Sequence, residues 1–289
     1  EEKDLDINSK VMKDRQKASL GTGNLIKYIE DYFLPQTDFR SIVVLSQIMQ
    51  AFAIKAAVEF HRRSMPFCMG TLYWQFNDCW PAISWSSVDY FGNWKALHYH
   101  AKRFFNEIII VIHEKEERIH ISVINDKHKK VDSRIQLKLS TFEGFMLYEK
   151  TFDYTITEAS SEEVYSFEKK RYLKDRALSD LFIHAEICKD KKVVCNNKYY
   201  FVFPKDLNLP ASNFNYEVKK VGEMISIRIH ALSFVYQLYV TCNNADGIFS
   251  DNFFDLLAGE TITINFIPSE KSIDLKYDFS LNTAMDISI

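Results

Sequence analysis

The 289-residue sequence contains no Cys-x-x-Cys pair, and its five cysteines (Cys68, Cys79, Cys188, Cys195 and Cys242) are an odd number, so neither a disulfide framework nor a zinc site is signalled. Cys188 and Cys195 are near enough to bridge a hairpin, but free thiols are the expectation. An excess of charge of one sign is missing as well. The net charge is −3, which leaves no electrostatic footprint for nucleic acid or an anionic membrane. Lys127-His-Lys-Lys130 and Lys189-Asp-Lys-Lys192 read as solvated turns between strands. No apolar run reaches membrane-spanning length, and no internal repeat or low-complexity segment is present. The first residues, Glu1-Glu-Lys-Asp4, are neither an initiator Met nor a signal peptide. The expectation is therefore a piece of a longer parent, which leaves the compartment unread.

Several signatures of chemistry are incomplete. Gly21-Thr-Gly23 has no preceding apolar strand and no third glycine, so it reads as a loop and not as a dinucleotide site. In His113-Glu114-Lys-Glu-Glu117, Glu117 stands where a zinc-protease helix needs its second histidine. His98 and His100 are two apart on a helix and face different sides, which makes them poor joint ligands. No Gly-x-Ser-x-Gly elbow supports Ser-His-Asp chemistry. No metal and no cofactor is expected.

What is present is a large apolar and aromatic content, 47% and 15%, enough to bury a sizeable core. All four tryptophans (Trp74, Trp80, Trp85 and Trp94) fall within residues 70–94. An apolar strand is predicted over 67–76, entered after Pro66, and a helix over 94–105. The Trp-rich stretch is then a strand-to-helix loop, a place where amphipathic aromatics form a ligand platform or a domain seam. Upstream, a helical piece is expected near 11–17 and a short helix over 25–34, stopped by Pro35. The strongest helical signal covers 38–63. Thr37 or Asp38 can cap it, Ile42, Leu45, Ile48, Met49, Phe52, Ala56 and Phe60 recur at three- and four-residue spacing, and His61-Arg-Arg63 closes it.

After Phe105 the period changes to two. Short strands are expected at Ile119/Ile121/Val123, Ile135/Leu137/Leu139, Val164/Phe167, Leu181/Ile183/Ala185/Ile187 and 193–203, the pattern of a β-sandwich. A linker falls at Phe203-Pro-Lys-Asp-Leu-Asn-Leu-Pro210. The pattern restarts at Tyr216/Val218, Ile225/Ile227/Ile229, 234–240, Ile262/Ile264/Phe266 and Leu275/Tyr277/Phe279, which fits a small immunoglobulin-like sandwich.

Gly70-Thr-Leu-Tyr-Trp-Gln-Phe-Asn-Asp-Cys-Trp80, Ser84-Trp-Ser-Ser-Val-Asp-Tyr90, Trp94-Lys-Ala-Leu-His-Tyr99 and Lys102-Arg-Phe-Phe105 closely resemble the last strand, loop and helix of β-mannosidases of glycoside hydrolase family 2. Phe249-Ser-Asp-Asn-Phe-Phe-Asp-Leu-Leu-Ala-Gly-Glu260 resembles the C-terminal immunoglobulin-like domain of the same enzymes. The resemblance implies the C-terminal piece of a (β/α)8 barrel over 1–106, since a whole barrel needs roughly 250 residues. Two immunoglobulin-like β-sandwiches follow, over 107–208 and 209–289.

The resemblance further implies an exo-acting, retaining enzyme that releases terminal β-mannose, with a periplasmic or lysosomal location. It makes Trp74 the floor of the sugar pocket, with Asn77 and Asp78 as hydroxyl ligands and Trp80 at the rim. Trp85 and Trp94 hold the loop against the helix. Asp78 and Asp89 are loop carboxylates with hydrogen-bonding or structural roles. Both catalytic carboxylates would lie upstream of Glu1. Asn106-Glu107 follows a helix, whereas the family's Asn-Glu pair ends a strand, so no catalytic residue is expected in this chain. A β-galactosidase or β-glucosaminidase of the same family, or a non-catalytic module that binds carbohydrate or protein, remains open. Barrel faces without their neighbours should leave an apolar patch prone to self-association as a homo-oligomer.

Overall fold

The computed structural model describes residues 2–16, 20–173, 176–270 and 276–287. Four helices come first: α1 (Lys10–Arg15), α2 (Gly21–Tyr32), α3 (Phe39–Arg63) and α4 (Ala96–Phe104). Asp38 caps α3 as its spacing predicts, accepting from the backbone N–H of Arg40 at 3.3 Å and of Ser41 at 2.7 Å. These bonds and the Ser41 hydroxyl hold its carboxyl below the usual carboxylate range. By length and composition, α3 could cross a membrane, although the sequence holds no unbroken apolar run. Core helices pass the same test because they are apolar on several faces, yet only 33% of its most apolar window is buried here.

The strands are β1 (Ile108–Lys115), β2 (Arg118–Asn125), β3 (Val131–Thr141), β4 (Met146–Ile156) and β5 (Ser160–Glu168). A short helix α5 (Lys169–Leu173) precedes β6 (Leu181–Lys189) and β7 (Lys192–Tyr200). Then come β8 (Phe214–Val221), β9 (Met224–Ala231), β10 (Val235–Cys242), β11 (Gly247–Phe249), β12 (Phe254–Leu256), β13 (Thr261–Pro268) and β14 (Phe279–Asn282). Leu275 and Lys17 lie outside the described residues. The five cysteines are free thiols.

The chain divides into two compact units. One comprises Ala53–Leu72 and Ala101–Leu209. In it the antiparallel sheet β1-β2-β5 covers the antiparallel sheet β4-β3-β6-β7. Ile110, Ile112, Ile119, Ile121, Ile135, Leu137 and Ile183 fill the space between them. Five consecutive residues of β1 are buried. Ile108, Ile110 and Ile112 enter that core, while Ile109 and Val111 meet Ile124 and Met65 on the other side. A strand buried on both faces shows no polar alternation, which hides it from a reading that looks for a period of two.

Two polar side chains tie the end of α3 into this unit. The buried Arg62 guanidinium donates to the carbonyl of Asn106 at 2.9 Å and to Asp126 Oδ2 at 2.7 Å, and also to the Phe104 carbonyl. Asn197 on β7 donates to Glu59 Oε1 and to the Ile110 carbonyl, both at 2.9 Å, and accepts from Lys55 Nζ at 2.9 Å.

Two histidines, His184 buried and His113 half-buried, give this unit an acid limit. Burial, with Lys198 and Lys138 alongside, pushes His184 on β6 down to about 3. Burial, then Arg63 and His120, pushes His113 down to about 4. A ring held neutral in the fold contributes stability that is complete above its ordinary value of 6.5 and is lost as pH falls below it. The thermal midpoint is therefore expected to decline between about pH 6.5 and pH 4, and His184→Gln should flatten that decline, each unit of depression being worth about 1.4 kcal/mol. Melting curves across that range test this, and an equal decline in the variant removes His184 as its cause.

The other unit comprises Glu1–Phe52, Tyr73–His100 and Pro210–Ile289. Its sandwich pairs the antiparallel sheet β11-β13-β9-β8 with the sheet β12-β10-β14. Ile225, Ile227 and Ile229 alternate inward along β9, and Phe266 meets Phe249 at 4.9 Å and Phe279 at 5.4 Å. Strand β10 bulges at Gln237, whose φ is +47°. There the Gln237 side chain donates to Asp255 Oδ1 at 2.8 Å and lies 3.2 Å from His100 Nε2 on α4. Phe253 stacks on Tyr239 at 5.5 Å and meets Tyr99 of α4 at 6.0 Å. Burial pushes the Tyr99 phenol up to about 12. The helix that follows the Trp-rich loop is thus seated on this sandwich.

Candidate functional site

No strand forms over 67–76 among the described residues. The segment is apolar, as predicted, but a parallel strand is defined by ladder bonds to its neighbours, and among the described residues no ladder covers 67–74. Burial still alternates as in an extended chain. Thr71, Tyr73 and Gln75 are half-buried, whereas Leu72 (98%), Trp74 (73%) and Phe76 (63%) are exposed on the opposite face. The Trp74–Gln75 peptide is cis.

Beyond Trp74 the loop folds against itself. Residues 75–78 lie parallel to 85–88: Ser87 N–H donates to the Gln75 carbonyl at 3.0 Å, Val88 N–H to Phe76 at 2.9 Å, and Asp78 N–H to Val88 at 3.2 Å. Val88 also bridges Trp94 in antiparallel fashion. Asp78, expected beside the sugar, turns inward and is buried. Its Oδ2 accepts from the Ser86 hydroxyl at 2.6 Å and from Lys95 Nζ at 3.3 Å. Lys95 also donates to Ser86 Oγ at 2.6 Å and Ser84 Oγ at 3.3 Å. Burial alone would raise the Asp78 pKa, but bonds from Ser84 and Ser86 and the Lys95 charge outweigh it and hold the carboxyl below its usual range. A second cluster centres on the fully buried Ser87. Its hydroxyl lies 2.8 Å from the Tyr73 hydroxyl, 3.0 Å from His98 Nδ1 and 3.1 Å from the Phe76 carbonyl. Burial lowers the His98 pKa, which favours the neutral ring.

The other expected residues separate by environment. Asn77 is exposed, and its side-chain amide donates to the Asp78 carbonyl at 3.3 Å. Trp80 is partly covered by the Arg15 guanidinium, 5.9 Å above its ring, while Arg15 Nη1 donates to the Pro81 carbonyl at 2.6 Å. Trp94 lies on His98 at 4.3 Å and Tyr99 at 5.4 Å, holding loop to helix. Trp85, expected to do the same, meets α3 instead and only through its backbone: its carbonyl accepts from Gln50 Nε2 at 2.9 Å while its indole is 56% exposed. Asp89 builds a turn, accepting from the N–H groups of Phe91 and Asn93 at 2.8 Å each.

These carboxylates are occupied by their own loop. Glu107 pairs with Lys127 at 2.8 Å, and that bond holds its carboxyl below the usual range, the reverse of what a general acid needs. Glu114 accepts from Lys169 at 2.7 Å and from the Tyr199 hydroxyl at 3.2 Å. No group of metal ligands forms among the described residues. What the loop presents outward is the Trp74 indole, 73% exposed, on a backbone held from behind by Ser87. Ser86, Ser87 and Lys95 were not singled out from the sequence, and His98 was weighed there only as a metal ligand, although all four sit in the segments that carry the resemblance.

A family model described as a Mannosidase Ig/CBM-like domain matches residues 117–206, and one described as an Ig-fold domain matches residues 209–287. The chain is 27% identical to a mouse β-mannosidase over 99% of its own length and 35% of the relative's. It is 26% identical to β-mannosidase A of Aspergillus terreus, over 89% of this chain and 30% of that one. Among solved structures, a β-D-mannosidase from Dictyoglomus thermophilum superposes with a TM-score of 0.87 at 28% identity, covering 98% of this chain and 35% of that one. An exo-chitosanase from Amycolatopsis orientalis shares the fold, with a TM-score of 0.78 at 14% identity, over 98% of this chain and 39% of that one. The chain spans about a third of the length of the relatives that it matches.

Proposed function

We propose that this chain is the C-terminal portion of a retaining β-mannosidase of glycoside hydrolase family 2, in which Trp74 forms the floor of the pocket for the terminal sugar. The observation that carries this reading is the exposure of Trp74 and Phe76 on an apolar segment, 67–76, that forms no strand among the described residues. Phe67 is 97% exposed on the same segment. An apolar extended chain of this kind suits a parallel barrel strand covered on both faces. Residues 1–106 would supply the last strand and helix, and the rest of the parent the neighbouring strands. Helix α3 supports the same reading, because Ala53, Ala56, Ala57 and Phe60 form an exposed stripe of apolar side chains. The two sandwiches, over 107–208 and 209–289, would buttress the barrel, the second through Tyr99 and His100 of α4.

In this reading two carboxylates from elsewhere in the parent do the covalent chemistry. One attacks the anomeric carbon and the other protonates the leaving oxygen, about 5–5.5 Å apart in a retaining enzyme. Trp74 offers its indole face to the apolar C–H face of the pyranose. Asn77 reaches a hydroxyl, Trp80 lines the rim, and Asp78, bonded inward to Ser86 and Lys95, sets the shape of the wall. No cofactor takes part.

The test compares the full-length parent with this chain on aryl β-mannosides. The parent should turn over and the isolated chain should not. Turnover by the chain at an appreciable fraction of the parent's rate, with contamination excluded, would sink the placement of the carboxylates. A parent active only on β-galactosides or β-glucosaminides would move the sugar assignment.

A further inference from the structure

We propose that Ser87 is a positioning residue for Trp74, its hydroxyl acting through the Tyr73 side chain before it and the Phe76 carbonyl after it. This rests on the reading of Trp74 as the sugar floor. The Trp74 side chain is 73% exposed, so little of its own packing decides where the indole points. Its neighbours decide it. On one side, the Tyr73 hydroxyl meets Ser87 Oγ at 2.8 Å. On the other, the Gln75 carbonyl accepts from the Ser87 N–H at 3.0 Å. Ser87 is in turn held by the rest of the loop and the helix: its carbonyl accepts from the Lys95 N–H at 2.9 Å, and its hydroxyl lies 3.0 Å from His98 Nδ1.

A serine hydroxyl carries one hydrogen and can accept two. The Phe76 carbonyl, 3.1 Å away, can only accept. All three contacts are satisfied when Ser87 donates to Phe76 while the Tyr73 hydroxyl and His98 Nδ1–H donate to Ser87. Ser87 has no exposed surface, so water cannot replace a lost partner from outside. The hydroxyl thus ties the Tyr73 side chain and the Phe76 carbonyl, on either side of Trp74, to His98 of helix α4 in a single hydrogen-bonding arrangement.

Ser87→Ala removes only that oxygen and Tyr73→Phe only its partner. In the full-length parent, each is expected to lower kcat per titrated active site about tenfold with a smaller change in KM, because the sugar floor matters most as the ring flattens. The double variant should be no worse than the more damaging single one, since both delete the same bond. Ser87→Thr, which keeps a hydroxyl, should recover most of the rate. A second readout needs no activity: the Trp74 indole N–H resonance of this chain, assigned through Trp74→Phe, should move in Ser87→Ala and in Tyr73→Phe. It should stay in place in Ser133→Ala, which deletes a buried serine bond to the Tyr154 carbonyl on β4. A resonance unmoved in folded Ser87→Ala and Tyr73→Phe overturns the proposal, as does a parent whose kcat per titrated site is unchanged. If the parent does not cleave β-mannosides, the functional reading fails by itself, and the resonance still decides the role of Ser87.

Discussion

Trp74→Ala in the full-length parent is expected to lower kcat/KM by a hundredfold or more while leaving thermal stability nearly unchanged. The stability half follows from exposure: an indole that is 73% exposed contributes little to the core of this chain. The kinetic half follows from its proposed role. Losing a large apolar contact costs a few kcal/mol, and each 1.36 kcal/mol is tenfold in rate. A retained sugar distorts toward the oxocarbenium geometry, so a floor that fits the distorted ring acts on kcat and not only on KM. Phe266→Ala is the counterpart. That ring has 1% of its surface exposed, against Phe249 and Phe279, and its loss should lower the melting temperature while surviving enzyme keeps near-normal kinetics. Kinetics and melting curves on both variants decide the matter. A Trp74→Ala enzyme that loses stability but keeps kcat/KM would make Trp74 a packing residue and end the site assignment.

Arg62→Met is expected to be the most damaging single change to the unit that holds the first sandwich. The guanidinium satisfies the carbonyls of Phe104 and Asn106, where α4 ends and β1 begins, and reaches Asp126 in the turn between β2 and β3. Asp126 is 44% exposed, so water can take over that carboxylate when Arg62 is removed. The Phe104 carbonyl loses a charged donor at a buried site, where an unmet acceptor costs about 1–3 kcal/mol, whereas Asn106 is exposed and water can reach it. A loss of about 2 kcal/mol follows, or roughly 4–8 °C in melting temperature for a domain of this size. Arg62→Lys keeps the charge but not the fork, and should fall between. Calorimetry checks this, and a loss below about 1 kcal/mol in Arg62→Met would show that the carbonyls find other donors.

Local rules were enough for much of this architecture. The spacing of Ile42, Leu45, Ile48 and Met49 and the Asp38 cap placed α3 to within a residue, because helix geometry is set by bonds four residues apart. The inward rows Ile135/Leu137/Leu139 and Ile225/Ile227/Ile229 marked sandwich strands, because one face of each meets a core and the other meets water. β1 escaped the same rule because Met65 covers its second face. β4 escaped it because Lys150 interrupts the inward row of Tyr148, Phe152, Tyr154 and Ile156, which is only half-buried before Ile156.

At the candidate site the division is sharper. Which residues gather there was legible from the crowding of four tryptophans and from the segments that resemble β-mannosidases. Their roles were not. Asp78 and Asn77 are neighbours in sequence, yet one is buried against Ser86 and Lys95 and the other is exposed, a difference set by how 75–78 lies against 85–88. Ser87 meets Tyr73 across fourteen positions and His98 across eleven. Such contacts have no local period to betray them. By itself the sequence determined the helices, the alternating strands, the aromatic loop and its family likeness, all properties carried by residues within a few positions of one another. Only the tertiary structure decided which polar side chains turn inward to hold the loop and which apolar ones, Leu72, Trp74 and Phe76, are left facing outward. Burial belongs to a position in space, and residues far apart in the chain create it together.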